Sequence, residues 1–127
     1  MLTQIFAICA GAMLGALLRW QLGLWLNPIF PTVPLGTLVA NLTGGYLIGL
    51  AIAVFTHFGS LPAEARLFAI TGFLGALTTF STFSSEVITL LLRGQLGWAI
   101  TTAGVHLAGS LTMTWLGLQS LRVFVRT

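Results

Sequence analysis

The chain has 127 residues, of which 57% are hydrophobic and only 6% are charged, and its formal net charge is +3. An ordinary soluble domain has about 25% charged residues, so this composition predicts an integral membrane protein. The five basic residues are arginines scattered along the chain, which argues against a nucleic-acid-binding surface. Cys9 is the single cysteine, so an intrachain disulfide is excluded.

Four charge-free runs each approach the roughly 20 residues that a helix needs to cross a bilayer. They lie within residues 2–18, 35–56, 67–85 and 94–121, and turn-forming segments separate them at 27–34, 59–62 and 93–97. The first run lacks the preceding basic residues and the cleavage site of a signal peptide, so it is read as a helix. The sequence therefore predicts one all-α membrane domain over residues 1–127, with four transmembrane helices.

The arginines give almost no topological bias. With four crossings, Arg66, Arg122 and Arg126 fall on the side of the termini, whereas Arg19 and Arg93 fall on the other. Because Lys/Arg asymmetry normally fixes orientation, this chain could insert in both orientations and pair with an opposite copy. A single orientation fixed by other factors is the alternative.

Paired glycines predict close contacts between helices. The motifs Gly11-x-x-x-Gly15 and Gly45-x-x-x-Gly49 each place two glycines on one helix face, where two backbones can approach.

Residues 75–85 contain six hydroxyl side chains and two phenyl rings inside the third run. Hydroxyls in hydrocarbon need partners, so this density favours the lining of a path for a small anion. At about 100° per residue, Phe80 and Phe83 share one face, and Thr78 and Thr82 lie nearly opposite. In the alternative reading, the rings are ordinary core and the hydroxyls bond to carbonyls one turn earlier.

The other runs contribute fewer polar groups. Asn41 can serve as an anion ligand or as a link between helices. Glu86 is expected at an interface or beside a Ser or Thr partner, with a proton-coupled carboxylate as the alternative. A polar ridge in the fourth run recurs every four residues, at Thr102, His106, Ser110 and Thr114.

His106 is expected to bond to a neighbouring residue rather than to a metal, because no second ligand lies at suitable spacing. No paired carboxylate, Ser/His/Asp set or phosphate-binding loop indicates an enzyme.

Three segments resemble the Fluc (CrcB) fluoride channels of microbes. They are Gly-Thr-Leu-Val-Ala-Asn at 36–41, the run at 72–86 that contains Thr-Thr-Phe-Ser-Thr-Phe, and Gly-Ser-Leu-Thr-Met-Thr at 109–114. The resemblance implies an antiparallel, dual-topology homodimer in the bacterial inner membrane, with two pores for passive fluoride export. It also implies a central sodium ion held by main-chain carbonyls. Gly72 and Gly75 weaken a helix, so the third helix is expected to be broken near its middle, which would free such carbonyls.

The resemblance also implies roles for individual residues. Phe80 and Phe83 would form an aromatic box, Asn41 would be a pore ligand, and the carbonyls of Gly75 and Thr78 would bind sodium. Where the family varies along the fourth run, this chain has Thr102 and His106, so the resemblance leaves open whether they take part. The remaining candidates are Arg19 in a vestibule and four residues of a polar track, Ser81, Thr82, Ser110 and Thr114.

Two other functions stay open. A small proton-coupled multidrug or ion exporter with dual topology has a similar size, but such exporters use a carboxylate in the first helix, and none is present here. A non-transporting assembly subunit would use its polar faces for contacts alone.

Overall fold

A computed structural model describes residues 1–125, and every regular element within them is helical. A 3₁₀ turn, Asn27–Ile29, follows the first helix, and a π-helical segment, Leu67–Leu74, lies between the third and the fourth. Arg126 lies outside the described residues. The α-helices are α1 (Leu2–Leu26), α2 (Leu35–His57), α3 (Ala63–Arg66), α4 (Gly75–Leu77), α5 (Phe80–Leu92) and α6 (Leu96–Val125).

The boundaries of the long helices lie in the segments that were predicted to form turns. Pro34 is the N-cap of α2, and Asn27 reaches across the preceding loop, where its Oδ1 accepts a hydrogen bond of 2.8 Å from the Gly36 N–H. Gly94 follows α5 with a φ of +72°, a left-handed conformation that favours glycine. The predicted breaks at 27–34, 59–62 and 93–97 are therefore confirmed to within a few residues.

Three helical segments of the described chain are long and apolar enough to cross a membrane: Leu2–Ile29, Leu35–His57 and Ala63–Leu92. α6 is also long enough, with 30 residues, but its hydroxyl residues, glycines and His106 make it less apolar than these three segments. Large apolar side chains such as Phe6, Leu17 and Leu111 are well exposed. Water does not favour such a surface, whereas lipid does. The chain is a multi-pass membrane protein.

Glycines allow close backbone contact between two pairs of helical segments. Gly11 and Gly15 of α1 abut the main chain of the π-helical segment, around Phe68 and Phe73. Gly45 and Gly49 of α2 abut the main chain of α6, and Gly117 of α6 returns the contact at Tyr46. The packing role predicted for both glycine motifs is confirmed.

The third apolar segment changes direction at its centre. α4 ends at Leu77, and α5 begins at Phe80. Between them Thr78 has φ −82° and ψ 153°, and Thr79 has φ −152° and ψ 119°, both extended backbone. Two extended residues leave nearby main-chain groups without their helical partners. The surrounding side chains must satisfy those groups.

The glycine contacts on α6 give a first prediction. A Cβ at Gly117 would overlap the Tyr46 carbonyl oxygen and lie 2.9 Å from the Leu50 nitrogen, whereas a Cβ at Gly97 would meet open space. We expect Gly117→Ala to lower the free energy of unfolding by about 1–3 kcal/mol through overpacking. Gly97→Ala, on the same helix, should leave it nearly unchanged. Thermal unfolding in detergent measures both, and equal stability of the two variants would contradict the packing.

Candidate functional site

The carboxamide of Asn41 holds the point where the third segment changes direction. Its Oδ1 accepts a hydrogen bond of 2.7 Å from the Thr79 N–H, and its Nδ2 donates to the Thr79 carbonyl at 3.0 Å. The pair replaces the helical bonds that Thr79 has lost. Asn41 therefore acts as a link between α2 and the third segment, which is one of the two roles that its chemistry allowed.

Two further groups stabilise the ends of the interrupted helix. Arg19 Nε donates a hydrogen bond of 3.0 Å to the Ala76 carbonyl, where a positive charge suits the C-terminal end of α4. Thr79 is the N-cap of α5, and its Oγ1 accepts from the Thr82 N–H at 3.1 Å. Arg19 thus lies beside the middle of the third segment.

These contacts release two main-chain carbonyls. In an uninterrupted helix the Thr79 N–H would bond to the Gly75 carbonyl, and the Thr82 N–H would bond to the Thr78 carbonyl. Here Asn41 takes the first donor and Thr79 Oγ1 takes the second. Both oxygens are therefore free of their helical partners, and they are the two to which the resemblance gives a role.

One side of the break opens into a cavity of about 410 Å³, which we call the aromatic cavity. Its rings stack edge to face, with the Phe80 and Phe83 centroids 5.4 Å apart. Phe80 is 77% exposed on the single chain. The polar and aromatic residues of the lining are Asn41, Thr78, Thr79, Phe80, Phe83, His106 and Ser110, and Gly75 also borders it.

His106 is buried at the wall of the aromatic cavity. Its ring lies 4.6 Å from that of Phe83, centroid to centroid, and its Nδ1 lies 3.1 Å from Asn41 Nδ2. The prediction that this histidine bonds to a neighbouring residue is confirmed.

The opposite side of the break opens into a second cavity of about 480 Å³, the arginine cavity. Arg19, Thr37 and Thr82 line it, and Thr79 lines both cavities. The two faces predicted for the third segment are therefore separated in space, because Phe80 and Phe83 face one cavity and Thr82 faces the other. Thr78 departs from that division, since it lines the aromatic cavity.

Glu86 is half-buried within the third apolar segment, and its Oε1 accepts a hydrogen bond from Thr37 Oγ1. The threonine partner expected for this carboxylate is confirmed. Within residues 1–125 three buried side-chain atoms have no hydrogen-bond partner: Glu86 Oε2, Thr102 Oγ1 and His106 Nε2.

The remaining predicted residues are more dispersed. Ser81 is exposed, with its Oγ 3.3 Å from Thr79 Oγ1. Thr114 donates to the Ser110 carbonyl at 2.9 Å, and Thr78 donates to the Leu74 carbonyl at the same distance. For Thr78, the alternative of a hydroxyl bonding one turn earlier is confirmed, and Thr114 of the fourth run bonds in the same way.

Thr79 is the residue that sequence reasoning missed. It caps α5, donates one hydrogen bond to Asn41 and accepts another from it, and borders both cavities. In the sequence, Thr79 could have been identified only as an N-cap residue three positions before Thr82. Because the neighbouring residues are also Ser and Thr, the sequence did not single it out.

The fold and the site define a polytopic helical membrane protein with polar groups gathered around an interruption in one helix. The family described as "CrcB-like protein, Camphor Resistance (CrcB)" matches residues 6–118, and the chain belongs to that family. The predicted resemblance is thereby confirmed.

Curated relatives match over nearly their whole length. A protein of Nitrosospira multiformis is 64% identical over 121 residues, which cover 95% of this chain and 94% of the relative. A protein of Burkholderia ambifaria is 58% identical over 124 residues, covering 98% and 97%. One of Burkholderia thailandensis is 55% identical over 125 residues, covering 98% of each. All three are named "Fluoride-specific ion channel FluC", a name for a channel and not for an enzyme.

The clamp on Thr79 gives a second prediction. Asn41→Leu keeps the size of the side chain but leaves the Thr79 N–H and carbonyl unpaired, and each buried orphan costs about 1–3 kcal/mol. We expect the free energy of unfolding to fall by about 2–5 kcal/mol, measured in detergent. Thr43→Val, at an exposed position of the same helix, should have little effect. A stable Asn41→Leu protein would show that the clamp is dispensable.

Proposed function

We propose that this chain is a fluoride-specific ion channel, through which fluoride leaves the cell down its electrochemical gradient. The observation that carries the proposal is the aromatic cavity, where Asn41, Phe80 and Phe83 meet beside the helix break. The names of relatives at 55–64% identity support the identity of the ion.

The chemistry of the cavity suits a small, strongly hydrated anion. Both amide hydrogens of Asn41 are already donated, to Thr79 and to His106, so hydroxyl hydrogens would replace the anion's water, and the positive edges of the phenyl rings can add to them. Nothing that lines the aromatic cavity carries a fixed positive charge. An anion could therefore enter without being trapped. Arg19, in the arginine cavity, would raise the local concentration of anions. Ser81, Thr82, Ser110 and Thr114 complete the proposed path.

We infer that two oppositely inserted copies form the channel. The contact between Thr3 and Glu64 places the start of α1 beside α3, and Arg66 lies on α3 as well. Arg19 and Arg93 would then lie nearer to the other face, and this near balance of charge supports insertion in both orientations. Phe80, a ring of the proposed path, is 77% exposed on one chain, and an opposed copy would cover it.

The proposed assembly comprises four membrane crossings per chain in a single domain, residues 1–127, within the bacterial inner membrane. α6 supplies the fourth crossing. It is 30 residues long, enough for a span, and it packs its glycine face along α2. The break at Thr78 and Thr79 is the functional interruption of the third crossing.

A structural sodium ion is part of the proposal. The carbonyls of Gly75 and Thr78 have lost their helical donors to other groups, and carbonyl oxygens suit a hard cation. Two such oxygens from each copy would give four ligands at the centre of the dimer. Sodium would there neutralise main-chain dipoles that hydrocarbon cannot solvate.

The third prediction tests the ion and the mechanism. Liposomes that contain only this protein should release fluoride down its gradient, carry a voltage-driven current, and release little chloride. Ion-selective electrodes measure both anions. Flux that requires a pH gradient would support the proton-coupled exporter instead. An absence of flux would support the non-transporting assembly subunit.

Replacing a ring in the same assay tests the path. Phe83→Ile keeps apolar bulk but removes an aromatic edge worth about 0.5–1.5 kcal/mol, so flux should fall up to about tenfold. Phe6→Ile, at an exposed position of α1, is the matched control. Equal flux from both variants would remove Phe83 from the path.

The fourth prediction concerns sodium. Exchange of sodium for a large organic cation throughout purification should abolish flux or dissociate the dimer, and restoring sodium should reverse the change. Thr78→Ser should remain active, because the carbonyl and the bond to Leu74 are both kept. Full activity with sodium demonstrably absent would refute the ion's role.

A further inference from the structure

Among the described residues that line the aromatic cavity, His106 is the titratable one, and its hydrogen-bond partner indicates which of its nitrogens holds a proton. The Thr79 N–H needs an acceptor, so it fixes the Asn41 carboxamide with Oδ1 toward Thr79. The Asn41 amide nitrogen, a donor only, then faces His106 Nδ1 at 3.1 Å. Nδ1 must therefore be the acceptor.

A neutral imidazole with an acceptor at Nδ1 has its hydrogen on Nε2. His106 is 3% exposed, and Nε2 has no hydrogen-bond partner among the described residues. A buried donor without an acceptor costs about 1–3 kcal/mol, so this N–H favours the entry of an acceptor. The hydroxyl of Thr102, one turn earlier on the same helix, is likewise buried and unpartnered.

We propose that His106 binds the permeating anion through Nε2–H as a neutral imidazole, and that protonation of His106 suppresses conduction. The inference rests on the proposed function. It makes His106 a ligand that the family resemblance does not assign. Phe83 stacks on the imidazole and keeps the ring in place, with centroids 4.6 Å apart.

Protonation would act in two ways. A hydrogen on Nδ1 would face the Asn41 amide, donor against donor, and Asn41 cannot rotate without losing Thr79. A cationic imidazolium would also hold the anion by a charge-assisted hydrogen bond, which slows its exit.

The ionisable groups on the helices packed against α6 have other partners. On α5, Glu86 is bonded to Thr37. On α2, the Tyr46 hydroxyl pairs with Ser120 at 2.8 Å, and His57 lies at the far end of the helix, in ring contact with Phe58. A pH dependence that disappears with His106 alone can therefore be assigned to this residue.

The transport test compares three variants from about pH 8 downward to the acidic side of the ordinary imidazole range, because burial and the contact with the Asn41 amide oppose protonation of His106, after subtraction of HF leak from protein-free liposomes. Wild-type and His57→Asn channels should lose fluoride flux as the pH falls. His106→Gln keeps a donor but has no titrating group, so its flux should be independent of pH. His106→Leu should lose about tenfold at neutral pH. A wild-type pH profile in His106→Gln would overturn the proposal.

A second readout does not depend on transport. In ¹⁵N-histidine-labelled His57→Asn protein, His106 is the remaining histidine. We expect the Nε2–H tautomer at neutral pH and a shift of the Nε2 resonance on addition of fluoride but not of chloride. An Nδ1–H tautomer, or no response to fluoride in a channel that conducts it, would refute the inference. A failure of wild-type liposomes to release fluoride would instead refute the proposed function.

Discussion

The structure depends on satisfying main-chain hydrogen bonds where the third apolar segment leaves its helical path. In water the exposed groups around Thr78 and Thr79 would be solvated, but in hydrocarbon each orphan costs several kcal/mol. Asn41 and Arg19 supply partners from neighbouring helices, and Thr79 supplies one from its own hydroxyl. The polar groups that border the cavities are thus also the groups that make the interruption stable.

Local chemistry made much of this predictable. The turns depend on Pro and Gly within a few residues, and the glycine pairs depend on helical spacing, so both could be read without knowledge of the neighbours. The opposite faces of Phe80 and Thr82 follow from the roughly 200° between them on one helix. The helical break was expected because Gly72 and Gly75 weaken a helix, but the propensities of Thr78 and Thr79 do not require two extended residues.

Partners between helices could not be predicted in the same way. That Asn41 meets Thr79, and that Arg19 meets Ala76, depends on how far one helix is displaced along another. Backbone contacts at Gly11 and Gly45 set that displacement, and they are a property of packed pairs rather than of either sequence segment. The π-helical stretch before Gly75 adds a local change of register that shifts every later side chain around the axis.

Phe80 borders the aromatic cavity and yet has most of its surface uncovered on a single chain. In the proposed dimer, the functional channel therefore consists of two chains, and each chain covers the exposed edge of the other. In a cell that makes intact and altered chains together, random pairing would place an altered chain in most assemblies. Substitutions at this edge would then behave genetically as dominant, whereas substitutions that only prevent folding would remain recessive.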